Sequence, residues 1–197
     1  MARILGISGS LREGSHAHVL VRLALDAARK AGAEVELLDL REWFLPLFEA
    51  HKSYGDHPIV SKVVQKIRDA EGYIVGSPEY HASMSGALKN LFDFVYTELS
   101  GKLFGLVIAT GGSQGVACAD NLRACIHSCH GWTLPYIAAA RLADFDEQGN
   151  LRNEQVRDRL ERIGRDVAIY APLLWQQFKA DQALPPGPTR GFAEWAL

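Results

Sequence analysis

The sequence predicts a three-layer α/β domain, a doubly wound parallel sheet of five strands in the order 2-1-3-4-5 with helices on both faces. Three observations predict it. Apolar bursts of strand length recur five times, with helical periodicity between them. The opening of the chain reads strand, Gly/Ser-rich loop, helix, strand, which is a βαβ unit with a right-handed, parallel crossover. Strands one, three and four each run into a loop of small residues, at the end where open α/β sheets take ligands.

The elements follow in order. Residues 3–8 form a first buried strand, and the next helix puts Leu20, Leu23, Ala24, Ala27 and Ala28 on one face before Gly32 closes it. Residues 34–40 form the second strand. The apolar loop Trp43-Phe44-Leu45-Pro46-Leu47-Phe48 would be a sticky patch if left bare, so it should cover a core edge or meet a second subunit. Asp56-His57-Pro58 starts another helix with Val60, Val63, Val64 and Ile67 inward; His57 reads as a turn residue. The third strand, residues 72–76, stops at Gly76 and Pro78, and Leu88, Leu91, Phe92 and Val95 line the helix after it. Strand four covers 103–109 and strand five 132–138, on either side of a helix over 116–130. A last helix over 153–178 carries Val156, Leu160, Ile163 and Val167 toward the sheet. The expected division is one domain over 1–180 and an irregular tail over 181–197, rich in proline at its start.

Composition narrows the function. The chain has 197 residues and is 48% apolar, enough for a full core. Lys plus Arg number 21 against 23 Asp plus Glu, a net charge of −2, which argues against a nucleic-acid surface. No apolar run reaches membrane-span length, and the strand pattern beginning at Arg3 leads to the expectation of no signal peptide. Three cysteines within 118–129 do not make a disulfide framework, and a cytoplasmic location follows as the expectation. Cys118, Cys125 and Cys129 fall on one helix face at spacings of seven and four residues, which fits core thiols and not a zinc or cluster loop. Residues 144–150 form an acidic turn that lacks the remaining ligands of a calcium loop.

The three loops carry the chemistry. After the first strand, Ser8, Ser10 and Ser15 supply hydroxyls, Gly9 and Gly14 free the backbone, and Arg12 adds a positive fork. Together they make an anion site at a helix N-terminus, with Ser15 as N-cap and Glu13 turned to solvent. The loop is neither G-x-G-x-x-G nor a triphosphate loop, and a plain serine-rich turn capping a helix is the competing reading. After the third strand, Tyr80 and His81 offer planar groups with polar tips beside the small residues of Gly76-Ser77-Pro78. After the fourth, Thr110-Gly111-Gly112-Ser113-Gln114-Gly115 leaves its main chain open. The coincidence of three such loops favours a ligand site over three separate turns.

In this arrangement the chain resembles the NAD(P)H-dependent FMN reductase family of flavodoxin-like flavoproteins, relatives of quinone, azo and chromate reductases. The resemblance spans roughly residues 3 to 175. It rests on Gly9-Ser10-Leu11-Arg12 with Ser15, Leu45-Pro46-Leu47-Phe48, Gly76-Ser77-Pro78-Glu79-Tyr80, Gly86-Ala87-Leu88-Lys89-Asn90 and Gly111-Gly112-Ser113-Gln114-Gly115. It implies FMN as cofactor and NADPH or NADH as donor. Ser8, Ser10, Arg12, Ser15, His16 and Ala17 would lie on the phosphate side. Pro78, Glu79, Tyr80 and His81 would line the flavin ring, and residues 110 to 115 would hold its pyrimidine edge and ribityl chain.

The chemistry implied is hydride transfer from nicotinamide to flavin and on to a quinone, azo compound, metal oxyanion or free flavin, with no catalytic side-chain set and no metal. The chain departs from the family where Ala17 or His18, and again His81, replace a common Asn, and where Ser85 replaces a common Pro. The first departure removes a phosphate-side hydrogen bond; His81 either alters the flavin potential or substitutes an imidazole donor for an amide one. Trp43, Phe44, Phe48 and Phe94 suggest a homodimer or homotetramer. A flavodoxin-type electron carrier is the alternative, and a net charge of −2 argues against it, because carriers of that kind are strongly acidic. A flavin-free interaction domain using the aromatic loops is a third reading.

Overall fold

The computed structural model describes residues 1–195. Five strands, β1 (Arg3–Ser8), β2 (Glu34–Asp39), β3 (Gly72–Pro78), β4 (Leu103–Thr110) and β5 (Trp132–Arg141), form one sheet in the order β2-β1-β3-β4-β5. Every pairing is parallel. The central strands β1, β3 and β4 are buried on both sides because helices cover both faces. On one side lie α1 (His16–Lys30) and α5 (Glu154–Gln182); on the other lie α2 (Pro58–Asp69), α3 (Gly86–Asp93) and α4 (Val116–Ser128).

Glycines set how closely the helices approach. A Cβ on Gly76 would stand 2.3 Å from Val21 Cγ2, and one on Gly164 would stand 2.1 Å from the Ala24 carbonyl oxygen. Gly76 therefore does not stop its strand as the sequence suggested. It seats α1 on the sheet, and β3 runs on through Pro78. β5 extends three residues beyond the expected end and shifts register opposite the Phe104–Leu106 segment, where Pro135 occupies the outer strand.

The C-terminal segment also differs from expectation. α5 continues to Gln182, and Pro188–Trp195 forms 3-10 turns interrupted at Gly191. Phe192 reaches back to Trp132 and Phe178, each at a centroid distance of 5.3 Å, and Ala193 is buried. Packing of Phe192 against Phe178 and Trp132 fixes the segment after Pro188 to the body of the domain. The remaining expected tail residues, Ala196 and Leu197, lie outside the described residues.

At the sheet end opposite the strand tips, Lys102 is 1% exposed. Its Nζ donates to the carbonyls of Ile67 (3.0 Å) and Arg68 (2.8 Å) and to the Tyr73 hydroxyl (3.2 Å), closing the C-terminus of α2. Burial pulls its pKa down to about 8 from an ordinary 10.5. Between these values the unfolded chain binds the proton that the folded protein has lost, so this group's contribution to stability rises with pH. Relative to a Lys102→Met variant, the wild type should gain up to roughly 3 kcal/mol between pH 8 and 10.5. Urea midpoints of both proteins across that range check it; a constant difference refutes it.

Candidate functional site

The tips of β1, β3 and β4 are tied together by a short chain of hydrogen bonds. Gly9 N–H donates to Gly76 O at 2.8 Å, and Glu79 N–H to Ala109 O at 2.8 Å. Ser85, at the N-cap of α3, accepts from Leu88 N–H (3.2 Å) and donates its hydroxyl to Gly9 O (2.5 Å). Its own N–H donates to Ser77 Oγ at 3.0 Å. A Cβ on Gly9 would lie 2.8 Å from Leu88 Cβ, so the loop and α3 can meet this way only through glycine. Ser85 is thus the joint between the first and second loops. Its sequence signal was the serine directly ahead of a helical apolar pattern.

The loop after β1 delivers Ser10, Arg12 and Ser15 to the start of α1. Ser10 Oγ accepts from Arg12 N–H at 3.3 Å, and Arg12 and Glu13 are exposed. Ser15 occupies the N-cap in extended conformation, yet its hydroxyl caps nothing and no acidic side chain sits in the first turn. The expected side-chain cap is therefore absent, and the helix start retains unpartnered N–H donors and their positive field. Ser8 Oγ is buried without a hydrogen-bond partner. By strand alternation it shares the α1-facing side with Gly6, whose added Cβ would meet Val21 and Leu25. The Ala17 side chain is buried in the core, leaving only its backbone for a ligand. The His16 ring stacks on Phe145 at 3.8 Å and 5°, bringing the loop after β5 to the same corner. Burial and the charge of Arg12 both lower the His16 pKa.

Beside this loop lies a polar cluster that the sequence did not announce. Asp39 is buried and takes Arg41 through Nε at 3.1 and 3.0 Å, through Nη2, and through the backbone N–H at 3.0 Å. His18 Nδ1 stands 3.1 Å from Asp39 Oδ2. Burial raises the Asp39 pKa, but the hydrogen bonds and charge of Arg41 prevail and hold it below the usual carboxylate value. Burial lowers the His18 pKa against the pull of Asp39.

In the second and third loops, Ser113 Oγ donates to the Glu79 carboxylate, and Thr110 Oγ1 donates to Ser113 O at 2.9 Å. Gly115, at φ +72°, starts α4. A Cβ on Gly111 or Gly112 would meet nothing within 4 Å, so that main chain is open to a ligand, and Gln114 beside it is exposed. Tyr80 and Ser83 exchange hydrogen bonds of 2.9 and 3.0 Å, and the two residues between them, His81 (φ +51°) and Ala82 (φ +62°), are both left-handed. That is a two-residue hairpin of the type that favours Asn-Gly. Ala82→Gly should therefore stabilise the protein by about 1 kcal/mol, a rise of roughly 2–4 °C in Tm. Calorimetry checks it, and an unchanged or lower Tm refutes it.

Asn90 donates to Pro46 O at 2.8 Å and accepts from Phe48 N–H at 2.9 Å, fastening the aromatic loop to α3. Phe94 meets Phe48 edge-on at 5.2 Å and Tyr54 at 4.9 Å, and Lys66 Nζ sits 5.1 Å from the Trp43 ring. These rings thus find partners within the chain. Phe44 (63% exposed) and Leu47 (80%) remain outside, rimming an apolar recess of about 220 Å³ shared with Leu11 and Ala87. A larger recess of about 700 Å³ lies by the C-terminal end of α1, lined by Lys30, Asp158, Glu161 and Arg162, away from the strand tips. Burial pushes the Cys118 thiol up to about 12 and Cys129 up to about 11, which disfavours the reactive thiolate of both at neutral pH. Among the described residues no group of three or more potential metal ligands assembles, and no helix is long and apolar enough to cross a membrane.

The sequence profile of the NADPH-dependent FMN reductase family matches residues 2–144. An NAD(P)H-dependent FAD/FMN reductase of Geobacillus thermodenitrificans is 29% identical over 169 residues, covering 84% of this chain and 91% of the relative. An NADPH:quinone oxidoreductase of Arabidopsis thaliana is 29% identical over 177 residues, covering 83% and 88%. The flavoenzyme NAD(P)H:(acceptor) oxidoreductase of Paracoccus denitrificans superposes with a TM-score of 0.72 at 18% identity, over 88% of this chain and 98% of that one, which shows a shared fold. With its sheet order, its three joined strand-tip loops and its matching profile, the chain belongs to the NADPH-dependent FMN reductase family and is an NAD(P)H-dependent flavin oxidoreductase.

Proposed function

We propose that the three joined loops hold FMN, with its phosphate at the start of α1, and that the protein reduces quinone- or azo-type acceptors with electrons from NADPH or NADH. The observation that carries the reading is the unsatisfied N-terminus of α1. Its cap serine caps nothing, its first turn carries no acid, and Arg12 stands beside it, while Ser8 Oγ is buried and unpartnered in the same corner. A dianionic group accepts from such donors and also complements the positive field of the helix start and the charge of Arg12, which a neutral acceptor does not.

In this reading Ser10, Arg12, Ser15 and the backbone N–H groups of His16 and Ala17 bind the phosphate. Pro78, Glu79, Tyr80 and His81 flank the ring on one side, and residues 110–115 approach it through backbone, where Gly111 and Gly112 leave room. Ser113 donates to the Glu79 carboxylate, which ties the second loop to the third and offsets part of that carboxylate's negative charge. Bound FMN would supply the two-electron exchange between nicotinamide and acceptor.

A homodimer or homotetramer is part of the proposal. Exposed Phe44 and Leu47 beside an apolar recess support it, and a monomeric mass by light scattering at micromolar protein would exclude it. The unpaired thiols of Cys118, Cys125 and Cys129 fit a cytoplasmic setting. The test of function is the visible spectrum of protein mixed with FMN, followed by anaerobic NADPH and then a quinone. Bleaching on NADPH and recovery with quinone is the expected result. A bound flavin that NADPH leaves oxidised would instead indicate an electron carrier.

A further inference from the structure

We propose that Asn121, on α4, is a positioning residue for the ring-flanking loop, acting by holding the His81–Ala82 turn in its left-handed conformation; this rests on the flavin-site reading above. The turn needs such support. Both central residues carry side chains at positive φ, where only glycine and, less readily, asparagine sit at ease, so a neighbouring element must hold them there. Asn121 supplies the hold. Its Nδ2 donates one N–H to Ala117 O at 2.9 Å and the other to Ala82 O at 3.2 Å. The bond to Ala117, one helical turn back, fixes the amide so that its second N–H faces the turn. α4 is itself fixed, because Cys118, Ala119 and Leu122 are buried beneath it.

The other end of the same loop is fastened by Glu79 to Ser113, just ahead of α4. The segment from Glu79 to Ala82 is thus gripped at both ends by one neighbour, the β4–α4 unit, which also forms the third wall of the proposed site. Loss of either grip lets Tyr80 and His81 move relative to residues 110–115. The competing reading is that Asn121 merely back-bonds its own helix through Ala117. The two readings separate through glycine: if Asn121, which bonds Ala82 itself, offsets the strain at position 82, then a residue that carries no strain there makes Asn121 dispensable.

The experiment compares wild type, Asn121→Leu, Ala82→Gly and the double variant, all full length. Position 121 is exposed, so each should fold. Amide hydrogen exchange of Tyr80 and Ser83 is read without flavin, and FMN affinity is read by quenching of flavin fluorescence. In Asn121→Leu, protection of the Ser83 amide should fall about tenfold and the FMN Kd should rise about tenfold. In the double variant both should return to within about twofold of the Ala82→Gly protein.

Unchanged exchange in Asn121→Leu would overturn the proposal. So would lost protection with unchanged FMN affinity, or losses that glycine does not restore. A wild type that binds no FMN would refute the site reading and with it the positioning role, while its exchange data would still show whether the tether exists, so the two failures are told apart.

Discussion

A Gly164→Val variant is expected to lose about 3–5 kcal/mol of stability, a fall of roughly 10–15 °C in Tm. Gly164 lies in the middle of α5, where glycine ordinarily weakens a helix by about 1 kcal/mol relative to alanine. Here α5 crosses α1 so closely that an added Cβ would stand 2.1 Å from Ala24 O, 2.7 Å from Ala27 Cβ and 2.8 Å from Ala28 N. Two of those three atoms are backbone and cannot swing aside. Even Gly164→Ala should destabilise, reversing the helix-propensity expectation, and valine should do so more severely. The consequence reaches the site, because α1 carries the proposed phosphate corner at its other end. Calorimetry of both variants checks the claim. A Gly164→Ala protein as stable as wild type would mean that the helices are not in contact as described.

An Arg12→Ala variant should bind FMN roughly 30- to 100-fold more weakly, about 2–3 kcal/mol, with an unchanged Tm. The effect is large on binding and small on folding because Arg12 is exposed and makes no side-chain hydrogen bond or ion pair among the described residues. Arg12→Lys should recover only part of the loss, since an ammonium cannot grip a phosphate with a planar fork. A second signal belongs to the protein alone. The charge of Arg12 helps to lower the His16 pKa, so the His16 titration should move upward in the variant. Titration of flavin fluorescence and an NMR pH series of the His16 ring provide the two checks. Unaltered FMN affinity would place the phosphate elsewhere.

Much of this architecture is legible in the chain because the central strands are buried on both faces and therefore stand out as continuous apolar runs. β1 and β4 appear within a residue of their expected limits for that reason, and the edge strand β2 does so through the short run Val35-Glu36-Leu37-Leu38 between polar ends. Strand ends are less legible where a residue type has two uses. Gly76 and Pro78 look like strand breakers, but Gly76 is demanded by Val21 of a helix distant in sequence. The loop residues of the site were visible because hydroxyls, glycines and Arg12 cluster after strand ends.

Their mutual ties were not visible. Ser85 to Gly9, Glu79 to Ser113, Asn90 to Pro46 and Asn121 to Ala82 join residues far apart in sequence, and no local pattern specifies such pairs. The aromatic loop shows the same limit. Trp43, Phe48 and Phe94 looked unpartnered as a sequence, yet the partners they find, Lys66 and Tyr54, come from segments that periodicity does not bring together.

The relative affinity for FMN and riboflavin, measured at one pH and ionic strength on the wild-type protein, tests the phosphate corner most directly, since the two ligands share a ring and ribityl chain and differ only in the phosphate. FMN should bind at least about a hundredfold more tightly, a difference of roughly 2.7 kcal/mol that shrinks with added salt and largely vanishes in Arg12→Ala. Equal affinities for the two would contradict the account.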